Sequence, residues 1–401
     1  MAEIDTEAII EGVEAANRKM ASIQRIVAIS PIPGADRVEV AQCLGWECVI
    51  SKKDNFKVGD LVIFFEVDSI LPQKPEFEFL RERKFRVKTI KLRKQISSGL
   101  IMPLSILPSD VKVEEGLDVS AIIGVLKHDP EGRLEAAMVE HEKRSPLMKF
   151  LMGISAFRWV YLKLNDKKGP WPAWIGRTDE TRIQVCAKYM MEHYDKEWEI
   201  TEKLDGQSAT YFVHPMKVWG VKRSQFGCCS RKIWLKTPTE SRYWGVAKHY
   251  GIEESLRCER FGLGKVIDNI FIQSENCGPG IQANKYKLAE VTPYVFNLVS
   301  NGVRQPYANL NSFCRQHKLN SVPLVMETFV PKRTIGENKT VIEVVNYMVQ
   351  LSQGKSQLLD RPREGIVCRL KSNPEISLKV INPYFKMEQE AEEDVAETEE
   401  T

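Results

Sequence analysis

The run Glu202-Lys203-Leu204-Asp205-Gly206 places one amine beside two carboxylates and a glycine. A lysine is a nucleophile only as the neutral amine, and a free one, with pKa near about 10.4, is protonated at neutral pH. Burial and nearby cations would lower that value, and Lys379 and Arg231 are the candidate neighbours, so the sequence predicts a depressed pKa. Lys-x-Asp-Gly by itself would arise by chance in on the order of one chain in ten of this length. Its flanks add more. Residues 198–200 read as a strand end and residues 208–213 as a strand, which puts Lys203 at a tight turn able to aim an amine into a cleft.

Further residues follow in a fixed order: Ser230-Arg231, then Phe271-Ile272-Gln273-Ser274-Glu275 with Gly278-Pro279-Gly280-Ile281-Gln282, then Tyr294-Val295-Phe296, Glu364-Gly365-Ile366-Val367 and Leu378-Lys379-Val380-Ile381. Asp205, Glu275 and Glu364 are hard oxygen donors of the type that suits a water-rich Mg2+ or Mn2+ site touching phosphate. Taken singly, each is more often a surface or salt-bridge acid. Lys379 would neutralise charge that accumulates on phosphate oxygens. Phe296 offers either strand core or an aromatic face for a base.

This ordered set resembles motifs I, Ib, III, IIIa, IV and V of the covalent nucleotidyltransferase superfamily, and the Gly-Pro-Gly-Ile-Gln run looks like RNA ligase 2-type enzymes. The run Trp174-Ile175-Gly176-Arg177-Thr178-Asp179-Glu180-Thr181-Arg182-Ile183-Gln184 is similar to the ATP-dependent branch with an N-terminal OB domain. The resemblance implies that Lys203 takes AMP from ATP and that Asp205, Glu275 and Glu364 hold the hydrated metal. It also implies that Glu202, Arg231, Phe296, Glu364 and Lys379 hold the nucleotide, with Glu202 accepting from adenine N6 and Phe296 stacking on the base. Arg223 competes with Arg231 for the sugar or phosphate contact. Three positions depart from the common pattern: Ser274 where glycine is usual, Asn297 where aspartate is usual, and Ser377 where a first lysine is usual.

Elements must hold these residues in place. At 401 residues, with 43% hydrophobic and 28% charged, the chain is too long for one core of ordinary size, and two domains are expected. Residues 23–30, 38–44, 46–51 and 61–67 read as short strands punctuated by Gly and Pro, which predicts a small OB-type β-barrel over residues 21–110, closed by residues 101–106. Residues 81–94 carry eight Lys or Arg against one Glu, with Phe85, Val87, Ile90 and Leu92 as the apolar side. Such a strand would turn Arg86, Lys88 and Lys91 outward to nucleic acid, although lysines also serve to blunt edge strands. Residues 111–165 read as a helical connector, and residues 166–386 as the nucleotidyltransferase (ATP-grasp-like adenylation) domain of antiparallel sheets and helices, with a helix over 179–194 capped by Thr178-Asp179. The fold class is α+β.

The net charge of +3 conceals acidic ends, because residues 1–17 hold five acids and residues 387–401 eight, with no bases. The remaining body has 57 basic against 41 acidic residues, a net +16 that suits a polyanion. The acidic N-terminal segment lacks a targeting signature and the acidic end reads as a disordered tail. The nine cysteines lack a framework spacing, so an intracellular, soluble protein with reduced thiols and no membrane association is expected. Only 22 residues follow Lys379, too few for the additional OB domain of DNA ligases and capping enzymes. The expected activity is therefore sealing of 3′-OH/5′-phosphate nicks in duplex RNA with ATP and Mg2+ or Mn2+, with end-healing enzymes as possible partners. A non-catalytic RNA-binding OB protein and a ligase for DNA nicks are the alternatives.

Overall fold

The computed structural model describes residues 18–128, 168–177, 180–218, 221–236, 241–261 and 269–399. In the N-terminal domain a five-stranded antiparallel sheet runs in the order Trp46–Ser51, Val38–Cys43, Ala21–Pro31, Leu61–Phe65, Leu100–Met102. Residues 95–102 bridge its two ends. Gln95–Ser98 lies against Trp46–Ser51, where Ser97 Oγ accepts from the Val49 amide at 2.9 Å, and Leu100–Met102 pairs at the far edge, so the barrel is nearly closed. Gly99 makes the join at φ +113°, where a Cβ would sit 2.6 Å from the Phe64 ring.

The sheet buries apolar residues on both faces. One cluster contains Ile26, Trp46, Ile50 and Phe64; the other contains Ile23, Phe65, Phe77, Phe85 and Val87 with Val119, Ile123 and Val125. The second cluster corrects two sequence expectations. Residues 81–94 are not one strand: Pro75–Arg83 is a 3-10 helix, Lys84 and Phe85 are left-handed, and only Thr89–Leu92 is extended. Residues 111–128, assigned to a helical connector, instead pack on this core through Val119, Ile123 and Val125, with one short helix at Ser120–Ile123. The remainder of the expected connector, residues 129–167, lies outside the described residues.

The C-terminal domain holds two sheets. The eight-stranded sheet is built on Gln207–Val218, flanked by Val221–Cys229 and Ile270–Cys277, with Thr292–Ser300 beyond. The five-stranded sheet runs Thr181–Arg182, Asn373–Ile381, Gly365–Leu370, Trp198–Lys203, Leu324–Phe329. The strands Trp198–Lys203 and Gly365–Leu370 are buried almost throughout, as expected of sheet interior. The predicted helix begins later than expected, at Ile183 after the strand Thr181–Arg182, and has no side-chain cap; Thr178 and Asp179 lie outside the described residues.

Of residues 387–401, expected to be a disordered tail, those up to Glu399 instead continue a helix over Pro383–Glu399, and the last two lie outside the described residues. What fixes it is contact unavailable to a sequence reading. Glu390 is buried and its Oε2 accepts from the Thr89 amide of the barrel domain at 3.0 Å. No helix among the described residues is long and apolar enough to cross a membrane.

Candidate active site

Lys203 ends its strand in the five-stranded sheet, and Gln207 begins the central strand of the other sheet. The chain therefore crosses between the sheets within Leu204, Asp205 and Gly206, and the lysine stands at the seam. The turn is tight because backbone crowds it: a Cβ on Gly206 would lie 2.5 Å from the Asn276 carbonyl oxygen. The Gly206 amide donates to Glu275 Oε1 at 3.1 Å and the Asp205 amide donates to the Tyr286 hydroxyl at 2.8 Å.

A cleft of about 910 Å³ opens at this seam and continues between the two domains. Glu202, Lys203, Asp205, Arg231, Glu275, Phe296, Glu364 and Lys379 all line it. Residues separated by up to 177 positions are thus brought together. Arg231 follows the strand Val221–Cys229 and reaches the cleft, whereas Arg223 lies in mid-strand, exposed and away from its lining. Phe296 owes its direction to a bulge: Gln273 pairs with Asn297 and Ser274 with Val295, leaving Phe296 without a cross-strand partner. Bulges re-aim side chains in this way.

The electrostatics correct the expected behaviour of the lysine. Lys203 Nζ donates to Glu364 Oε1 at 2.6 Å. Burial favours the neutral amine, but Glu364, with Glu275 and Asp205, outweighs it and holds the Lys203 pKa above the ordinary lysine value, not below it. The cations expected to lower it, Lys379 and Arg231, share the cleft, yet the carboxylates dominate. Glu202 is 1% exposed and accepts the Gln357 amide on Oε2 at 2.9 Å, and burial raises its carboxyl above the usual range.

Asp205 pairs with Lys285 at 2.7 Å, both nearly buried. Lys285 and Tyr286, just past the Gly-Pro-Gly-Ile-Gln run, were missed from sequence because nothing in their spacing marks them. Among the described residues no three His, Cys, Asp or Glu stand close enough to form a ready metal cage. Glu364 Oε2 is nevertheless buried with no hydrogen-bond partner, and the donors are all carboxylate, which suits a hydrated Mg2+ or Mn2+ reached largely through water.

Of the three expected nucleic-acid contacts, Arg86 is buried in the wall of the cleft and Lys91 is exposed. Arg86 is 6% exposed and donates to Asp68 at 2.8 Å, so it is a structural cation. Lys91 lies 5.5 Å from the Tyr384 ring, and neither Lys88 nor Lys91 lines the cleft. The departures at Ser274 and Asn297 are built into hydrogen bonds: Ser274 Oγ donates to Asn276 Oδ1 at 3.0 Å and Asn297 Nδ2 donates to Gln273 Oε1 at 2.7 Å. Ser377 Oγ has no partner, and its substitution for lysine has no structural account here.

A lysine at a sheet seam, carboxylates around it and an aromatic face share one cleft in the domain that follows the barrel. Comparison with known proteins agrees: residues 196–382 match the RNA ligase family and residues 20–104 an OB-fold domain. The two matches fall in succession along the chain, the OB-fold model on its N-terminal domain and the RNA ligase model on its C-terminal domain. The solved structure of Naegleria gruberi RNA ligase with PPi is similar, at TM-score 0.71 and 25% identity over 93% of this chain and 99% of that one. Mutants of the same ligase with AMP and Mn and with ATP and Mn each give TM-score 0.72 and 24% identity over 92% of this chain and 99% of theirs. No match was found among curated proteins.

Proposed function

We propose that the protein is an ATP-dependent RNA ligase, class RNA ligase (ATP), that seals 3′-OH/5′-phosphate nicks in duplex RNA. The observation that carries this reading is the convergence of Lys203, Glu364, Glu275, Asp205, Phe296, Arg231 and Lys379 on one cleft. The naming of the similar Naegleria ligase structures, held with ATP, AMP, PPi and Mn, supports it.

In the first step Lys203 Nζ loses its proton and attacks the α-phosphorus of ATP; the P–N bond forms, the bond to the bridging oxygen breaks, and pyrophosphate leaves. A 5′-phosphate oxygen then attacks the AMP phosphorus, and the amine departs and regains a proton. Last, a 3′-OH attacks the activated 5′-phosphate, its proton is lost, and AMP leaves. Each step needs in-line placement and positive charge near the phosphate oxygens, which Lys379 and Arg231 supply. Asp205, Glu275 and Glu364 would hold Mg2+ or Mn2+, which when bound neutralises phosphate oxygens and favours the free amine. Phe296 would stack on adenine and Glu202 accept from its exocyclic amine.

Thirteen Lys or Arg against seven Asp or Glu line the cleft, and its barrel side includes Lys19 and Lys127. That excess suits a phosphate backbone entering between the domains. The test is α-labelled ATP with Mg2+ or Mn2+. The chain should gain one AMP, Lys203→Ala should gain none, and a nicked RNA duplex should be sealed only by the unaltered protein. Label on Lys203→Ala would end the proposal. RNA binding without any label would favour the non-catalytic reading, and sealing confined to DNA nicks would favour the DNA ligase.

A further inference from the structure

At the bulge that frees Phe296, the directly opposed pair is Gln273 and Asn297, each 1% exposed. Asn297 Nδ2 donates to Gln273 Oε1 at 2.7 Å, and Gln273 Nε2 donates to the Gly176 carbonyl at 2.8 Å. Four residues past Gly176, Glu180 Oε1 accepts from Arg369 Nη2 at 3.2 Å, while Arg369 Nη1 donates to the Phe296 carbonyl at 2.9 Å. Gly176 and Glu180 flank Arg177, and Arg177 lines the cleft. Both flanks of this arginine are therefore tied to the Phe296-Asn297 dipeptide.

Chemistry fixes the direction of the relay. A backbone carbonyl only accepts, so Gln273 must turn its NH2 to Gly176, its Oε1 then faces residue 297, and residue 297 must donate. An amide can do so; an ionised carboxylate cannot. Aspartate at 297 would pull the Gln273 NH2 toward itself and leave two oxygens facing each other at Gly176. The asparagine at this position, where the resembling family usually has aspartate, thereby acquires a physical reason.

We propose that Asn297 is a positioning residue that, through Gln273, seats residues 171–177 so that Arg177 meets the β- and γ-phosphates of a nucleoside triphosphate whose base lies on Phe296. This rests on the reading of the cleft as an ATP site. Trp171, Trp174 and Ile175 pack residues 171–177 on the outer face of the sheet, with Trp174 stacked on His214. The relay supplies the directional contact near the arginine.

The test uses the full chain and two reactions: labelling of Lys203 over an ATP series, and sealing of chemically pre-adenylated RNA, which needs no triphosphate. Asn297→Asp should raise KM for ATP about tenfold, the effect of losing one buried polar contact, and leave sealing of pre-adenylated RNA within about twofold. Arg177→Ala, at an exposed side chain, should reproduce the KM rise with an unchanged melting temperature, so the proposal stays testable even if Asn297→Asp folds poorly. The double variant should be no worse than either single variant. Equal losses in both reactions, additive effects in the double variant, or an unchanged KM in Arg177→Ala would overturn the inference. If the unaltered chain takes no label, the ligase reading itself falls; if it is labelled and these patterns fail, only the inference does.

Discussion

The amine of Lys203 meets its task from an unexpected starting point. It stands in a part-buried ion pair with Glu364, at 2.6 Å. The attacking form must be released, and phosphates drawing Lys379 and Arg231 together with a metal taking over Glu364 would weaken that pair. The measurable consequence lies in the nucleotide-free protein. Lys203 should titrate above the ordinary lysine range, and Glu364→Gln should bring it down because the largest opposing charge is removed while burial remains. Amine-reactive labelling against pH would show this, and an unshifted Lys203 in Glu364→Gln would refute it.

Among the elements, the crossing from one sheet to the other is the decisive one. Gly206 is required there by space, since its neighbour is the Asn276 carbonyl oxygen, an atom that cannot swing aside. Gly206→Ala should therefore displace the turn, cost about 1–3 kcal/mol of stability, and lower Lys203 labelling far more than that cost explains. Thermal melts beside labelling rates would separate the two effects. The C-terminal helix has its own signature. Burial raises the Glu390 carboxyl to about 7, with Asp68 adding to it against Lys386 and Arg86. A raised folded value means that the docked helix is favoured below the unfolded value near 4.5 and loses that contribution as pH rises through about 7. The protection factor of the Thr89 amide, exchange corrected for its intrinsic base catalysis, should fall between pH 6 and about 8 in the native chain, and Glu390→Gln should remove that fall.

Over the whole molecule, one acid joins three parts of the chain. Asp68 of the barrel meets Arg86 at 2.8 Å, Arg182 of the C-terminal domain at 3.7 Å and Lys386 of the C-terminal helix at 3.4 Å. Arg182 also sits 5.2 Å from the Trp46 ring, and the Gly45 amide donates to the Gln184 carbonyl at 3.0 Å. Burial acts to raise the Asp68 carboxyl, but these cations outweigh it and hold it well below the carboxylate range. The sign is opposite to that of Glu390: its contribution stands above the ordinary carboxylate value and is lost as pH falls. Asp68→Asn should cost about 3–5 kcal/mol, the usual result of removing one partner from a buried charge cluster, and loosen the domain packing. Small-angle scattering would then report a larger radius of gyration, and an unchanged radius and melting temperature would contradict it.

The sequence by itself carried the two-domain division, the barrel strands, and eight residues that prove to line one cleft, because those rest on local signals: alternation, glycine punctuation and motif order. It failed where the answer depended on what a residue meets across the chain. Arg86 read as an outward cation but is buried against Asp68. The acidic terminus read as unable to order itself, yet Glu390 finds the Thr89 amide 301 positions away. The pKa of Lys203 took its sign from carboxylates that only folding sets around it. Residue type and spacing are properties of the chain, and they determined which groups could do the chemistry. Charge state, partner and exposure depend on distance and burial, and only the tertiary structure decided them.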